Sequence, residues 1–263
     1  MSKRTRGVLG LKLLVDADYI VYKCCASAED EINWGDDVIT VISKFSDAMS
    51  NVTRELNKIK THFMWDVPEM ILFFSDAKNF RKQIYSSYKG HRNRKKPCGY
   101  RRVINELANH YEVIRLPELE ADDGMGIYAT KHPGNIVVSP DKDLRQIPGR
   151  LYDFNEVVEI TKEEGDNWHL IQTLAGDSTD GYSGCPGIGI KRAVTLFEEH
   201  GYTWETVVDT FKTKGLTEED ALMNAQLAKI LTTEEYDWES RSIIPWNPTR
   251  TSNGIDDGAI IQT

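Results

Sequence analysis

Carboxylates recur just beyond the apolar runs of this chain, and their placement constrains the fold more than any other feature. Asp16 and Asp18 follow residues 11–15 (LKLLV), Asp76 follows 71–74 (ILFF), and Asp141 and Asp143 follow 136–138 (IVV). Two more clusters complete the set: Glu120, Asp122 and Asp123 in LEADDG, and Asp177 with Asp180 in GDSTDG. Short runs rich in Val, Ile, Leu and Phe read as strands, here 11–15, 70–74, 112–116, 136–138 and 151–154. Helical spacing lies between them. Val38, Ile42, Phe45, Met49, Val52, Leu56 and Ile59 recur at three- and four-residue steps, and Val103, Ile104, Leu107 and Ala108 do so more briefly. Strands alternating with helices predict an α/β fold whose central, parallel-rich sheet is flanked by helices. Ligands of such sheets gather beyond the carboxyl ends of the strands, which is where the acids fall.

Crowded carboxylates repel one another and resist desolvation, so a fold that gathers them needs cations there. Hard oxygen donors suit Mg²⁺ or Mn²⁺. The six histidines are scattered with no HxH or HExxH spacing, so zinc is not indicated. Asp18 lies two residues from Asp16, on the opposite face of an extended segment, which sets it apart from the expected metal ligands. The expectation is a metal-dependent enzyme working on phosphates.

The net charge of −9 argues against a nucleic-acid partner only until its distribution is read. Residues 77–105 carry ten basic side chains and no acidic one: Lys78, Arg81, Lys82, Lys89, Arg92, Arg94, Lys95, Lys96, Arg101 and Arg102. Phe80, Tyr85, Tyr88 and Tyr100 are interleaved with them. A basic strip with aromatics, on a chain otherwise rich in clustered acids, suits a polyanion whose phosphate must reach metal ions. No apolar run approaches the roughly 20 residues of a membrane helix. The start, MSKRTRGVLG, runs straight into LKLLVDAD and lacks a signal-peptide pattern. Four cysteines without CxxC spacing complete the expectation of a reduced, cytoplasmic chain with no membrane partner.

From Trp168 onward the pattern turns helical, over 169–175, 191–200, 204–212 and 218–232. The division expected is an α/β domain over 1–165, holding the metal site and the basic strip, a helical DNA-binding region over 166–244, and a peripheral tail over 245–263. The glycine-rich stretch 181–189 (GYSGCPGIG) sits between two helical patterns, directly after GDSTD. Its glycines allow close backbone approach, and the helix start beyond Gly189, with Lys191 and Arg192, suits a phosphate. It is neither a Walker loop, lacking GK[ST], nor a dinucleotide fingerprint, lacking a preceding strand.

VDAD (15–18), FFSDAKNFRK (73–82), YKGHR (88–92), LEADD (119–123), SPDKD (139–143) and GDSTDGYSGCPGIGIKRA (176–193) together resemble the flap endonuclease and 5′→3′ exonuclease superfamily. Within it the chain is most similar to the compact exonucleases of short-tailed bacteriophages. The resemblance implies a PIN-like, 5′-nuclease sheet, a helical arch, and a helix–three-turn–helix gripping duplex DNA. It also implies two Mg²⁺ or Mn²⁺ ions, with K⁺ in the helix–three-turn–helix. It assigns Asp16, Asp76, Glu120 and Asp122 to the first metal, and Asp123, Asp141, Asp143, Asp177 and Asp180 to the second. Lys89, Arg92, Asp122 and Asp141 are the implied catalytic set, and Tyr88 matches an aromatic that stacks on a terminal base. Arg81, Lys82, Tyr88, Lys89, Arg92, Arg94, Lys95, Lys96, Gly184, Gly187, Gly189, Lys191 and Arg192 are the implied DNA contacts. Two departures stand out: DGYSGCPG where many relatives read DNIPGVPG, and a short stretch after YKGHR that ends in Pro97 and Gly99.

The function implied is metal-dependent 5′→3′ hydrolysis of double-stranded DNA at an end, nick or flap, in phage replication, recombination or host-DNA degradation. Flap cleavage and RNA-strand removal from an RNA–DNA hybrid belong to the same expectation. Two other readings stay open. DAD (16–18) alone also fits a haloacid-dehalogenase-type phosphatase, which leaves the glycine turn and the basic strip unexplained. A non-catalytic DNA-binding protein on the same scaffold would have lost some of the acids, and none of those expected is missing.

Overall fold

The computed structural model describes residues 10–63, 69–92 and 95–249; Arg94 and the tail beyond Thr249 lie outside the described residues. In chain order the elements begin with β1 (Lys12–Asp16), α1 (Ala17–Ala26), β2 (Glu29–Asn33), β3 (Ile39–Ser43), α2 (Phe45–His62) and β4 (Glu69–Phe73). Next come α3 (Arg81–Ile84), α4 (Tyr100–Leu107), β5 (Glu112–Ile114), α5 (Ala121–Lys131) and β6 (Ile136–Val138). A 3₁₀ turn (Lys142–Gln146) leads to β7 (Gly149–Tyr152) and β8 (Val157–Ile160). Then follow α6 (Lys162–Ala175), α7 (Ile190–His200), α8 (Trp204–Lys212), α9 (Glu218–Ala228) and the short pair β9 (Tyr236–Asp237) and β10 (Ser242–Ile243).

The main sheet has six strands in the order β5-β4-β1-β6-β7-β8, parallel except for β8 against β7. Its central strands are buried on both faces, which is why they read as continuous apolar runs. Leu13 and Val15 of β1, Leu72 of β4 and Ile136 and Val138 of β6 pack with α1, α2 and α4. Leu14, Ile71, Phe73 and Val137 point the other way, onto α5. The period of two along each strand thus sorts side chains into two cores.

Three elements differ from the sequence pattern. Val38 and Ile42 continue the α2 stripe in spacing, yet Ile39–Ser43 pairs antiparallel with Glu29–Asn33 as a hairpin. Consecutive β-branched residues Ile39, Thr40, Val41 and Ile42 favour the strand, and Gly35, Asp36 and Asp37, all at positive φ, make its turn. The helix expected over 218–232 ends at Ala228, because Lys229 turns extended and the chain beyond takes other partners. Within the basic stretch 77–105, α3 and the start of α4 are helical, and among the described residues between them, 85–99, no helix forms. Gly90, Pro97, Gly99 and a dense row of like charges oppose a helix there.

Contacts divide the chain into two compact units. The first is made of residues 1–80, 92–165 and 230–233, the second of 81–91, 166–229 and 234–263. The basic strip 77–105 is thus shared between them. In the first unit the returning segment is pinned by three side chains: Gln146 Oε1 accepts from Ile230 N at 2.9 Å, Asp123 Oδ1 from Leu231 N at 3.1 Å, and Thr130 Oγ1 from Thr233 N at 2.8 Å.

The second unit packs Leu174, Cys185, Ile188, Phe197, Val207 and Phe211 into its own core. Thr203 and Thr217 cap α8 and α9 through the amides of Thr206 and Asp220. Buried beside this core, His169 bonds the Ala225 carbonyl at 2.8 Å and meets the edge of Trp246. Burial, reinforced by the Lys229 charge, pushes the His169 imidazole down to about 3. The unfolded chain takes up a proton near the ordinary value of 6.5. Stability from this group is therefore complete above that pH and is lost as pH falls toward 3, by about 1.4 kcal/mol per unit. Urea unfolding at pH 7 and pH 4 should show a shallower acid loss in His169→Gln than in the wild type; equal slopes would show that His169 does not contribute.

Candidate active site

The site is built at the carboxyl edge of the first unit's parallel strands. Asp16 ends β1 and caps α1, its Oδ1 accepting from Tyr19 N at 3.1 Å. Its other oxygen accepts from Ser139 Oγ at 3.0 Å. Burial pushes the Asp16 carboxyl up to about 6, and the charges of Asp18 and Asp141 add to the rise against the two hydrogen bonds. The fully buried Ser139 follows β6, and its Oγ also accepts from Asp141 N at 3.2 Å. One hydroxyl thereby ties Asp16 to Asp141, which is itself exposed and accepts from Asp143 N at 2.9 Å. Ser139 was not singled out in the sequence; its only signal is its place between IVV and PD.

Asp18 serves the fold. Its Oδ2 accepts from Ser75 N at 2.7 Å and its Oδ1 from the Tyr100 hydroxyl, linking α1 to the end of β4 and to α4. Burial and the Asp18 charge push the Tyr100 phenol well up, so it stays a donor. Asp76 accepts from Glu118 N at 2.9 Å, and the amides of Glu118, Ala77 and Lys78 hold its carboxyl below the usual range. The same neighbourhood places LEADD, since Asp76 N donates to Leu119 O and Ala121 N to Ser75 Oγ. Glu120 is the N-cap of α5, and the half-buried Asp122 lies in its first turn.

Asp123 is the most deeply buried of these acids. It is fully buried, with Oδ2 on the Glu120 amide at 3.3 Å and Oδ1 on the Leu231 amide. A carboxylate with an amide on each oxygen caps a helix and anchors a chain segment. Among the described residues no three acidic, histidine or cysteine side chains converge on one point able to close around an ion. The acids are instead spread over the ends of β1 and β6, the loop after β4 and the start of α5, as like charges require.

In the second unit Asp177 Oδ1 accepts from Thr179 N at 2.6 Å and Asp180 N at 3.2 Å, closing the GDSTDG turn. Asp180 receives the 81–91 segment: its Oδ2 accepts from the Tyr88 hydroxyl at 2.9 Å and lies 3.4 Å from Lys89 Nζ, while its carbonyl accepts from Lys89 N at 2.7 Å. Two DNA contacts implied by the family pattern are overturned here. Tyr88 is 1% exposed and offers no face to a base. Arg81 is equally buried and donates to Leu227 O and Lys229 O at 3.0 and 2.5 Å, bracing α9 rather than meeting a phosphate. Lys82, Lys95, Lys96 and Arg92 are exposed, as are Lys191 and Arg192 at the start of α7. The turn from α6 to α7 depends on glycine: Gly184 has φ +61°, and a Cβ there would lie 2.3 Å from Gly176 N. Asn224, unmarked in the sequence, holds the same turn by accepting from Gly184 N at 3.0 Å. Gly187 sits at φ +77° in open space, and Gly189 caps α7.

A family model described as 5′-3′ exonuclease, N-terminal resolvase-like domain, matches residues 12–168. The exodeoxyribonuclease of Enterobacteria phage T3 is 30% identical over 281 aligned positions, covering 90% of this chain and 92% of that protein. The chain belongs to the 5′→3′ exonuclease family. The exonuclease of Escherichia phage T7 is similar at 29% identity, with 90% of this chain and 93% of that one covered. Among solved structures, the T5 D15 protein co-crystallised with metal ions superposes with a TM-score of 0.64 at 15% identity, over 84% of this chain and 89% of its own. The T5 D15 flap endonuclease in complex with DNA and metal ions gives 0.61 at 16% identity over the same shares of the two chains. At such identities the likeness is one of fold. Membership of the family makes this exonuclease relative a phosphodiester hydrolase. Among its described residues no helix is long and apolar enough to cross a membrane.

Proposed function

We propose that this exonuclease-family chain is a divalent-metal-dependent 5′→3′ exonuclease acting on duplex DNA with a 5′ end, nick or flap. The observation that carries the reading is the Asp16–Ser139–Asp141 arrangement at the ends of β1 and β6. Asp16 and Asp141 lie on one hydroxyl, and Asp16, raised first by burial and then by the Asp18 and Asp141 charges, is relieved by a cation; the oxygen-only donors suit Mg²⁺ or Mn²⁺. The metal and DNA named for the T5 structures support the same reading.

Asp16, Asp76, Glu120, Asp122, Asp141 and Asp143 are the proposed metal-holding residues of the first unit; Asp177 and Asp180 carry the same proposal on the family match alone. When bound, divalent ions supply charge neutralisation at the phosphate and an activated water. The chain's own residues do the rest. Lys89 and Arg92 offset the surplus of negative charge and hold the phosphate. Lys191, Arg192 and the turn 184–189 bind duplex backbone, with K⁺ as the turn's proposed ion. Ser139 sets the spacing of Asp16 and Asp141.

The test is a product ladder from 5′-labelled and 3′-labelled duplex, nicked and flapped DNA. It should show Mg²⁺-dependent release of 5′-phosphorylated mono- or short oligonucleotides from the 5′ end only; release from the 3′ end, or full activity in excess EDTA, overturns the reading. A binding measurement adds a second check. Ser139→Ala should weaken Mn²⁺ binding to the metal-depleted protein 10- to 100-fold, roughly the effect of losing an outer-shell partner. An unchanged Mn²⁺ isotherm would remove Ser139 from the site.

A further inference from the structure

The β2–β3 hairpin takes no part in the carboxylate site, yet it carries most of the open apolar surface. Among the described residues eight large apolar side chains are exposed, and five of them, Trp34, Val38, Ile39, Val41 and Ile42, stand on this hairpin. Apolar residues scattered singly are ordinary, whereas a contiguous patch marks a surface that another molecule covers. The two strands form a sheet of their own, paired from Glu29↔Ser43 to Asn33↔Ile39, and Trp34 N extends the ladder by donating to Val38 O at 2.9 Å. Facing pairs share a side of the sheet, so Ile32, Trp34, Val38, Thr40 and Ile42 lie together, with Asp30 at their base. Glu29 and Glu31 belong to the other side, where Glu29 Oε1 accepts from Cys98 N at 2.6 Å. The apolar side is open: Trp34 is 67%, Val38 52% and Ile42 45% exposed. Trp34 Nε1 donates to Thr40 Oγ1 at 2.9 Å, which holds the indole on this face with its one polar atom satisfied.

We propose that the apolar face of the β2–β3 hairpin is a self-association surface, on which a second copy of this chain docks face to face. Charge selects that occupant. Residues 24–43 hold five carboxylates and no lysine or arginine, so the hairpin repels a nucleic-acid backbone. A basic protein would be held by acids set among the apolar side chains, and of the strand carboxylates only Asp30 shares their side. A face that is apolar, with Glu29 and Glu31 turned away, is complementary to itself, and a two-fold axis leaves those acids of both copies outside. A lone two-stranded sheet also gains most from such a cover. Six residues a side fall short of the roughly 20–30 of a standard interface, so the dimer is weak, with a dissociation constant on the order of 10 µM.

Sedimentation velocity of the full-length protein without DNA, from about 1 to 200 µM, tests this. The wild type should pass from monomer to dimer across that range. Raising the salt from about 0.1 to 0.5 M should tighten the association severalfold, because Asp30, Asp36 and Asp37 of the two copies are like charges brought together. Trp34→Ser and Ile42→Thr should each weaken it more than tenfold, with urea unfolding as in the wild type. Val157→Thr, which trims another open apolar side chain on β8, should dimerise normally. A wild type that stays monomeric to the highest concentration leaves the face to a different partner and overturns the proposal. A dimer that survives both hairpin substitutions, or that salt dissolves, overturns it as well. So does a monomeric protein in which Trp34→Ser weakens duplex binding, which would make the hairpin a nucleic-acid contact.

Discussion

Asp141→Asn and Asp122→Asn should each lose about a thousandfold in the rate of 5′-end hydrolysis while still binding duplex DNA. Asp141 is exposed and joined to Asp16 only through the Ser139 hydroxyl, so the substitution removes a charge without opening a cavity. The amide keeps an oxygen to accept the Asp143 N–H. Removing a carboxylate also lessens repulsion of the phosphate backbone, so affinity should hold or rise. Asp123→Asn is the contrast. Its carboxylate is buried between the amides of Glu120 and Leu231, and its loss should appear as roughly 1–3 kcal/mol of stability, read by urea unfolding. Single-turnover rates at saturating Mg²⁺, beside duplex-binding curves, separate these effects. Near-normal turnover in Asp141→Asn or Asp122→Asn would falsify that residue's role as a metal ligand.

The second large effect is a split between two lysines. Lys89→Ala should lower the single-turnover rate at saturating enzyme about a hundredfold with little change in duplex affinity. Its backbone is held at φ +51° by the Asp180 carbonyl and its ammonium lies against the Asp180 carboxylate, so the charge is presented from a fixed position. Lys191→Ala should do the reverse. Exposed at the start of α7, it is placed for a duplex phosphate, and its loss should weaken binding and reduce the salt slope by about one. Binding curves at several salt concentrations, set beside single-turnover rates, test both. A Lys89→Ala protein with an intact chemical step removes Lys89 from catalysis, and a Lys191→Ala protein with wild-type affinity and slope removes the anchor.

The central strands were legible because they are buried on both faces, which writes them as unbroken apolar runs with acids at their ends, whereas the half-exposed edge strand β8 went unread. Period alone misled at residues 38–43, where the steps of the α2 stripe run on into a hairpin. There the β-branched run and the Asn33–Gly35–Asp36 turn chemistry were the better guide. Helix α5 went unread because Gly124 and Gly126 interrupt its stripe, and Gly126 is required because a Cβ there would sit 2.3 Å from the Leu231 carbonyl. The acids of the site were legible as a set, but their division of labour was not. Asp123 anchors a segment 108 residues away and Asp18 meets Tyr100 82 residues away, and such partners leave no trace in local spacing. Arg81 and Tyr88 read as DNA contacts within the basic strip, and only tertiary packing shows them buried.

The return of residues 230–233 into the first unit has a consequence for synthesis of the chain. A ribosome extrudes the protein from its N-terminus, so every strand of the catalytic sheet emerges before Leu231 does. Until that segment arrives, Asp123 lacks the Leu231 amide on its second oxygen, Gln146 lacks the Ile230 amide, and the Leu231 carbonyl is not yet against Gly126. A buried carboxylate left waiting in this way opposes closure of the core. The core of the first unit is therefore closed only once residues 230–233 have been made, and a product that stops short of them lacks these three anchoring contacts.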